Sequence, residues 1–531
     1  MKPRTLLSLL CLTSACSAPT PGPIPTPAID VAARVEAPRS GEATLLLMAD
    51  LRGVLRPCGC TVELQKGGFD RLIPYLAEEK KHHPGAELLH AGPMFYEDAA
   101  IDAKKKAQRE RQAEVLADLV ARTGIAVAGA SATDEVGSGG RLAALAERAH
   151  LQMTAATLTL ASGSALAPWV VREIGGLRVG IFALAGPEEA PGRVSDPEAS
   201  ATAAVKALRQ EADVVVLLSA LGLRETKRLV RKVAGVDFAV AGGMGEHPAY
   251  SEEAELVGNT RVLQFHREGR YVGRLTIRIV RDQHELVDIS AVSPAELTQM
   301  NDRVARLEAA LGELTRTHRP TDPEIRAMEL HLATVKASRD RLTGKPTTVP
   351  ADRSSFSFTV TPLDWDLPQD PTVADLMKAF DEELARINVA NAGTLPEPKP
   401  GEPVFAGTDA CLDCHEDTRD FWKKNEHAHA WVSLEELGKT FDADCVSCHV
   451  TGYGMAGGSL VGRTQGREAV QCEACHGPGS KHVDDSLPGS IVGKPTEASC
   501  TGCHNEHHSP RFEYGAYREH LLVPGHGRPL K

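Results

Sequence analysis

The sequence predicts a multidomain chain with an α/β sandwich at the front, a helical hairpin in the middle and a mostly helical and loop region at the end. Apolar strand-like runs alternate with amphipathic stretches between residues 44 and 292, a pattern typical of α/β domains. Residues 294–342 instead repeat apolar side chains at steps of three and four, which indicates paired helices. Eight of the 12 cysteines lie after residue 403. A length of 531 residues suits roughly two to four domains.

Composition and charge limit the classes of function. Hydrophobic residues make up 42% of the chain, which is enough for packed cores and excludes global disorder. The 71 acidic residues exceed the 59 basic ones and give a net charge of −12. Nucleic-acid phosphates bind basic surfaces, so we expect no nucleic-acid partner.

Residues 1–18 have the pattern of an export signal. A charged start precedes the apolar run Leu6–Leu12, which is too short to span a bilayer. The segment TSAC resembles a bacterial lipobox, in which Cys16 would be lipidated, although Thr13 stands where that motif usually has Leu. The alternative is plain secretion with cleavage after Ala18. We expect a periplasmic or cell-surface protein whose membrane contact is by the lipid anchor only.

Shifts in composition divide the rest of the chain. The front domain ends in a predicted β-hairpin over RVLQFHREGRYVGRLTIRIV, and the helical hairpin behind it is either an intramolecular spacer or a dimer contact. The oligomeric state stays open. The predicted segments are a Pro-rich tether (19–40), the α/β domain (41–292), the helical hairpin (293–345), a connector (346–402) and the last domain (403–531). The connector contains a short β-run, a helix and a linker.

Four pentapeptides in the last domain carry the strongest chemical signal: CLDCH, CVSCH, CEACH and CTGCH. Two thiols three positions apart add to the vinyl groups of one haem, and the following His ligates its iron. Zinc also binds Cys-x-x-Cys pairs, but the His after every pair favours haem. The sequence therefore predicts four c-type haems. Their thioether anchors and proximal ligands would be Cys411, Cys414 and His415; Cys445, Cys448 and His449; Cys472, Cys475 and His476; Cys500, Cys503 and His504.

Eleven of the 20 histidines lie after residue 403, which leaves seven beyond the four motifs as candidate distal ligands. Two axial histidines close both faces of a haem and suit electron transfer, whereas an open face could bind a substrate. The candidates are His427, His429, His482, His507, His508, His520 and His526.

The last domain resembles the tetrahaem cytochrome c-554 family over residues 404–526. The resemblance is carried by GTDACLDCHEDTRDFWKKNEHAHAW, DCVSCHVTGYGMAGG, VQCEACHGPGSKH and CTGCHNE. Members of that family accept electrons from hydroxylamine oxidoreductase. The resemblance implies distal ligands at His427, His482 and His520, with His526 or His508 as alternatives to the last. It also implies that the haem of His449 has no protein ligand on its distal side.

The front domain resembles the metallophosphoesterases of the 5′-nucleotidase type over residues 44–290. The resemblance implies two stacked sheets between helices and two metal ions that activate water on a phosphate ester. The matching scaffold residues are Gly53, Leu55, Pro57, Gly67, Gly68 and Arg71.

Most metal ligands of that family are absent from this chain. The family's Asp-x-His start is Asp50-Leu51-Arg52, its Gly-Asp is Gly92-Pro93, and its Gly-Asn-His-Asp/Glu run corresponds to GASATDE. Ala220 ends a strand that carries His in the family, and GMGE (243–246) replaces Gly-His-x-His. Arg52 would put a fixed positive charge where a metal belongs, so we expect a non-catalytic scaffold. The nearby Cys58 and Cys60 would form a strained local disulfide or a redox-active or metal-binding pair.

The leading hypothesis is an exported electron carrier with four haems and a phosphoesterase-like module for docking or positioning. A second hypothesis is a redox enzyme that converts a small nitrogen or sulfur compound at an open haem. A third is an active nucleotidase with a haem appendage. The last domain has 12 basic and 18 acidic residues from Asp409 on, half of the net charge, so the partner would be a basic redox protein.

Overall fold

The computed structural model describes most of the chain from residue 39 to residue 529. The export signal, Cys16, Cys58, Cys60, His507 and His508 lie outside the described residues. The described ranges are 39–57, 65–135, 141–186, 190, 192–243, 250–251, 253–281, 285–290, 294–317, 323–343, 352–505, 509 and 512–529.

The strands form two large sheets and one small one. In chain order they are β1 (Gly41–Ala49), β2 (Glu87–Ala91), β3 (Ile125–Gly129), β4 (Gln152–Thr154), β5 (Trp169–Ile174), β6 (Leu177–Leu184), β7 (Val214–Ser219), β8 (Phe238–Ala241), β9 (Glu255–Val257), β10 (Thr260–Gln264), β11 (Tyr271–Ile279), β12 (Val287–Asp288), β13 (Ser355–Pro362), β14 (Val523–Pro524) and β15 (Gly527–Arg528).

The described helices are longest in the first three quarters of the chain. They are α1 (Phe69–His82), α2 (Lys106–Thr123), α3 (Arg141–Arg148), α4 (Pro197–Glu211), α5 (Leu223–Lys232), α6 (Pro294–Thr317), α7 (Pro323–Thr343), α8 (Pro371–Asn391), α9 (Thr408–Leu412), α10 (Arg419–Lys424), α11 (Ala430–Glu436), α12 (Ala443–His449), α13 (Cys472–His476), α14 (Ser480–Asp485), α15 (Glu497–Thr501) and α16 (Tyr514–Leu521). Among the described residues, each helix is too short or too polar to cross a bilayer.

Two sheets stack face to face in the front domain. The first has the order β12-β13-β11-β1-β2-β3-β4, and the second has the order β5-β6-β7-β8-β10-β9. In β1, Leu45 and Leu47 point into the core between the sheets, while Leu46 and Met48 point toward the helices outside. This alternation is the period of two that a strand imposes, and it explains why β1 is apolar on both faces.

Helices cover the outer faces of both sheets. Leu116 of α2 and Phe380 of α8 pack with the outer residues of β1, and Leu208 of α4 packs against the second sheet with Leu217. The predicted α/β sandwich is therefore confirmed as four layers, with a sheet pair between helices.

The front domain extends well beyond residue 292, where the sequence pattern ends it. Strand β13 pairs antiparallel with β11, and its Phe356 and Phe358 lie in the core between the sheets. Helix α8 packs beside α1 and α2. The segment predicted as a connector thus completes the sheet and its helical layer. The predicted closing hairpin is also wrong, because β10 pairs with β8 and β9 in the second sheet while β11 pairs with β1 in the first.

Helices α6 and α7 form an antiparallel pair. Their seam contains Val304, Leu307, Met328 and Val335, and Lys336 of α7 forms an ion pair with Glu308 of α6 at 2.6 Å. These apolar positions are the ones that the steps of three and four predict.

The last domain has a small apolar core. Its buried members are Leu434, Ala443, Val446, Val450 and Val461, and the rest of the described domain consists of one- and two-turn helices, loops and the small β14–β15 sheet. So little buried apolar area fits the prediction that bound haems would supply most of this domain's core.

Candidate functional sites

Each Cys-x-x-Cys-His motif begins on a short helix. Helix α12 ends at His449 and α13 at His476, and both span their motif's cysteines. In the first motif the amide of His415 donates to the carbonyl of Cys411 at 2.9 Å. One helical turn therefore brings the first Cys and the His of a motif to the same face, as attachment to one haem requires.

Four of the candidate ligand histidines are oriented by a hydrogen bond from Nδ1 to a backbone carbonyl. This nitrogen lies 2.5 Å from the carbonyl oxygen of Ala430 in His449 and 2.7 Å from that of Val492 in His476. A carbonyl accepts only, so Nδ1 carries the proton and Nε2 is left as the ligand nitrogen. The same bond runs from His482 to Leu487 and from His526 to Leu521, and Nδ1 of His504 lies 3.0 Å from Ser509 Oγ.

Three histidine pairs face each other across similar gaps. The ring centroids are 6.3 Å apart for His415 and His482, 6.1 Å for His427 and His504, and 6.2 Å for His476 and His526. Each pair joins a motif His to one of the candidate distal histidines.

These gaps fit one metal ion between two imidazoles. A histidine nitrogen lies about 2.0 Å from a bound metal and about 1.15 Å from its ring centroid, so two rings on opposite sides of one ion are about 6.3 Å apart. The donor set and its spacing therefore fit bis-histidine haem in the three pairs.

His449 is the exception among the motif histidines. In the described part of the chain, no second histidine ring stands opposite it, and its orientation is set by Ala430 and by Ser433 Oγ at 3.5 Å. A haem on this histidine would have a distal side without a described histidine ligand.

Two other histidines have different surroundings. Nε2 of His429 lies 2.9 Å from the carbonyl oxygen of Lys423, so the nitrogen that would bind iron is already used. His520 is exposed on α16, and the ring that faces His476 is that of His526, one of the two alternatives to His520.

The last domain also has large apolar side chains on its surface. Bound groups that are planar and apolar could cover these side chains. Among the residues that the structure describes, eight of the 12 exposed large hydrophobic side chains lie after residue 403. Such exposure is unusual on the surface of a soluble domain and fits a domain that packs around haems. The side chains are Val432, Leu437, Phe441, Met455, Val483, Leu487, Val492 and Tyr517.

The motif cysteines meet in pairs from different motifs. The thiols of Cys411 and Cys472 are close enough to shift each other's pKa, and so are the thiols of Cys448 and Cys503. The attachment points of motifs one and three are thus adjacent, and so are those of motifs two and four.

No pattern in the sequence indicated a structural role for Glu473, which lies between the two cysteines of the third motif. Its side chain is buried and accepts the backbone N–H groups of Ala406, Gly407 and Gly479, each at 2.7 Å. Gly407 precedes the helix of the first motif, so this carboxylate ties two haem motifs together. A variable position of a motif carries no pattern that would reveal such a role.

The pocket around Asp50 in the front domain is closed by an internal ion pair. Asp50 is buried and accepts the N–H of Gly243 at 2.9 Å, and Arg52 Nε lies 3.8 Å from its Oδ1. Nη2 of Arg52 donates to the carbonyl of Gly243 at 2.9 Å. The guanidinium thus lies where the resemblance would put a metal ion.

Two further polar side chains of the front domain also have structural partners. Asp134, in GASATDE, is buried and accepts the N–H groups of Met94 and Phe95. His90 is fully buried in β2, its Nε2 accepts the N–H of Leu51 at 3.3 Å, and burial lowers its pKa to about 3. The described donors around Asp50 therefore do not fit a pair of metal ions.

A second cluster of possible metal ligands contains His331, Asp364 and Asp366. Lys66 lies 2.6 Å from Asp364, and Arg303 lies 2.6 Å from Asp364 and 2.9 Å from Asp366. Two cations neutralise both carboxylates, so this cluster joins α6 to the sheet rather than binding a metal.

Comparison with known proteins finds a similarity in the last domain. Residues 410–477 match the family model described as cytochrome c554 and c-prime. This part of the chain is therefore similar to c-type cytochromes. Cytochrome c-554 of Nitrosomonas europaea is 36% identical in an alignment of 97 residues, and the match covers 15% of this chain and 41% of that protein. The chain thus spans less than half of the curated relative that it matches.

Solved structures similar to the front part include three hydrolases. The 5′-nucleotidase precursor of Thermus thermophilus has a TM-score of 0.43 at 18% identity and covers 65% of this chain and 59% of its own. SoxB of the same species, a sulfate thiohydrolase, has 0.44 at 14%, covering 66% and 62%. The NAD nucleotidase of Haemophilus influenzae has 0.42 at 15%, covering 70% and 64%. At these values the similarity does not bear on chemistry.

Proposed function

We propose that this chain is an exported tetrahaem cytochrome c that transfers electrons and whose front domain is not a catalyst. The observation that carries the proposal is the set of three histidine pairs at 6.1–6.3 Å, each with one motif histidine. The haem region supplies one attachment motif for each of four haems. Haem, when bound, supplies a one-electron couple.

The proposed ligand sets follow from these pairs. The proposed pairs, each of which would hold one haem iron between two imidazoles, are His415 with His482, His427 with His504, and His476 with His526. Closed axial positions exclude substrates and favour electron transfer over catalysis. His526 replaces His520 in this assignment because its ring faces His476.

The adjacency of motifs supports transfer between haems. Cys411 meets Cys472 and Cys448 meets Cys503, so two haem pairs would share attachment regions. Haems attached at such neighbouring sites would exchange electrons directly, without a mobile carrier.

A second candidate function rests on His449. With no described histidine opposite it, its haem would keep an open face, at which a small nitrogen or sulfur compound could be oxidised or reduced. This candidate adds an activity to electron transfer and does not replace it.

We infer that the front domain is inactive as a phosphoesterase because of Arg52. The guanidinium is fixed between Asp50 and the carbonyl of Gly243, and it would repel divalent cations from the remaining carboxylate. Purified protein should hold no paired transition metals and should hydrolyse no phosphate ester. Two bound metals per chain with phosphatase turnover would support the nucleotidase hypothesis instead.

Location and partner form the rest of the proposal. The export signal and Cys16 support a periplasmic or cell-surface lipoprotein. The acidic excess of the haem region supports a basic redox partner, whose binding should weaken as salt rises.

The central experiment measures haem content and spin state in the purified, haem-loaded chain. We expect four haems per chain from the pyridine haemochrome absorbance. The oxidised protein should have three low-spin haems and one high-spin haem. A count below four would overturn the tetrahaem proposal, and four low-spin haems would remove the open-haem candidate.

A further inference from the structure

Helix α2 of the front domain makes ion pairs with helix α12, which carries the second motif. Lys105 Nζ lies 2.8 Å from Asp444 Oδ1, and Arg109 Nη1 lies 3.0 Å from Asp444 Oδ2. Asp444 directly precedes Cys445, the first anchor of that motif. Two cations of the front domain thus hold a carboxylate beside a haem-anchoring cysteine.

Gln108 forms the centre of this contact. It is 2% exposed, and its Nε2 donates to Asp442 Oδ1 at 2.8 Å and to Asp444 Oδ2 at 3.0 Å. Its Oε1 accepts the N–H of Ala443, the first residue of α12, at 3.2 Å. Gln108 therefore binds the capping carboxylate of Asp442, the first-turn carboxylate of Asp444 and a helix N-terminal amide, all from outside the haem region.

Helix α8 extends the same contact. Asn388 is buried, and its Nδ2 donates to Gln108 Oε1 at 2.6 Å and to the carbonyl of Phe441 at 2.8 Å. Asp381 accepts from Lys439 at 3.0 Å. A buried polar network whose members are mutually satisfied fixes one relative position of the elements that it joins.

The contact also reaches the altered pocket of the front domain. Arg109 Nη2 lies 3.4 Å from Glu97 Oε2, and the carbonyl of Glu97 accepts from Arg52 Nη1 at 3.3 Å. Arg52, which pairs with Asp50, and Arg109, which pairs with Asp444, therefore both contact Glu97.

We propose that Lys105, Gln108 and Arg109 are positioning residues for the haem of Cys445, Cys448 and His449. In this role the front domain holds the helix to which one haem would be attached, and we call this contact of Lys105, Gln108 and Arg109 the brace. The inference rests on the proposed function, because it requires a haem on α12.

The charges of this contact make the role measurable. Ferric haem carries one more positive charge than ferrous haem, so a nearby anion lowers the reduction potential and a nearby cation raises it. In the native chain Lys105 and Arg109 offset the charge of Asp444. Removal of both cations leaves the carboxylate uncompensated, whereas removal of Asp444 leaves two cations.

The test compares the variants K105Q/R109Q and D444N as haem-loaded full chains. In a potentiometric titration, one of the four midpoint potentials should fall in K105Q/R109Q and rise in D444N. A third variant, Q108E, places a carboxylate against Asp442 and Asp444, and amide hydrogen exchange in α12 should accelerate. The control is K106Q, at the exposed neighbour on the same helix.

The outcomes separate the two proposals. Four haems with potentials and exchange rates unchanged in all variants would overturn the brace and leave the tetrahaem proposal intact. Fewer than four haems in the unaltered chain would overturn the tetrahaem proposal itself. If D444N loads haem poorly, K105Q/R109Q still decides the matter, because both of its changes lie outside the haem region.

Discussion

The imidazole rings of His415 and His482 lie nearly parallel, with centroids 6.3 Å apart and planes 20° from each other. The two residues come from motif one and from the helix that follows motif three. Their apposition depends on the loop that Glu473 holds, since this carboxylate binds backbone amides at the start of both segments.

The first prediction concerns the distal ligand. His482→Ala should convert one low-spin haem to a high-spin, ligand-binding haem, because only one axial histidine remains. The absorbance and electron paramagnetic resonance spectra of the oxidised protein report this change. His429→Ala is the matched control, since Nε2 of His429 is bonded to Lys423, and its spectra should equal those of the unaltered chain. An unchanged spin state in His482→Ala would refute the pairing.

The second prediction concerns the angle between ligand rings. Parallel imidazoles split the two iron d orbitals with which they interact, whereas perpendicular imidazoles leave them close in energy. The planes differ by 20° for His415 and His482 but by 71° and 86° for the other two pairs. We expect one rhombic low-spin signal and two signals with a large maximal g value. Three identical rhombic signals would contradict the ring geometry.

The third prediction concerns the ion pair in the front domain. Arg52→Met should destabilise the front domain by about 3–5 kcal/mol, because it leaves the buried carboxylate of Asp50 uncompensated. The double variant D50N/R52M should recover much of this loss, since it removes both charges. Thermal unfolding followed by circular dichroism measures both. Equal melting temperatures for the single variant and the unaltered chain would show that Arg52 is not needed to balance Asp50.

The fourth prediction concerns acid stability. Burial alone would raise the pKa of Asp364, but Lys66, Arg303 and His331 outweigh it and lower that pKa below its ordinary value. The folded pKa is therefore below the unfolded one, which is about 3.9, and the stabilisation is present above that pH and lost as pH falls through the folded pKa.

The Asp364→Asn variant should thus be less stable at pH 7 and less sensitive to acid below about pH 4. Melting temperatures between pH 3 and pH 7 give the comparison, and Asp484→Asn on the exposed surface is the control. A parallel pH dependence in Asp364→Asn and the unaltered chain would contradict this role for the carboxylate.

The sequence alone predicts the haem-attachment motifs because their chemistry is local. Cys411 and His415 are one helical turn apart, so the sequence spacing is the spatial requirement. The partner of His476 is different. His520 and His526 are both near the end of the chain, and only the path of the last loop decides which ring turns toward His476.

Long-range pairing explains the other differences between expectation and structure. Strand β13 is separated from β11 by the helical hairpin, so its short apolar run resembled part of a connector. The cations at the start of α2 also had no recognisable role in the sequence, because Lys105 and Arg109 pair with Asp444, more than 300 positions later. No local pattern in either segment indicates the other.

The position of β13 has a consequence for how the chain folds. During synthesis the strands from β1 to β11 emerge before β13. Their sheet lacks its neighbour until the whole hairpin has followed, so the apolar edge of β11 would stay open during that interval. An antiparallel helix pair is suited to this place in the chain, because its contacts are local and can form quickly. Pairing of α6 with α7 brings β13 near β11 and shortens the time during which the exposed edge of β11 could pair with another chain.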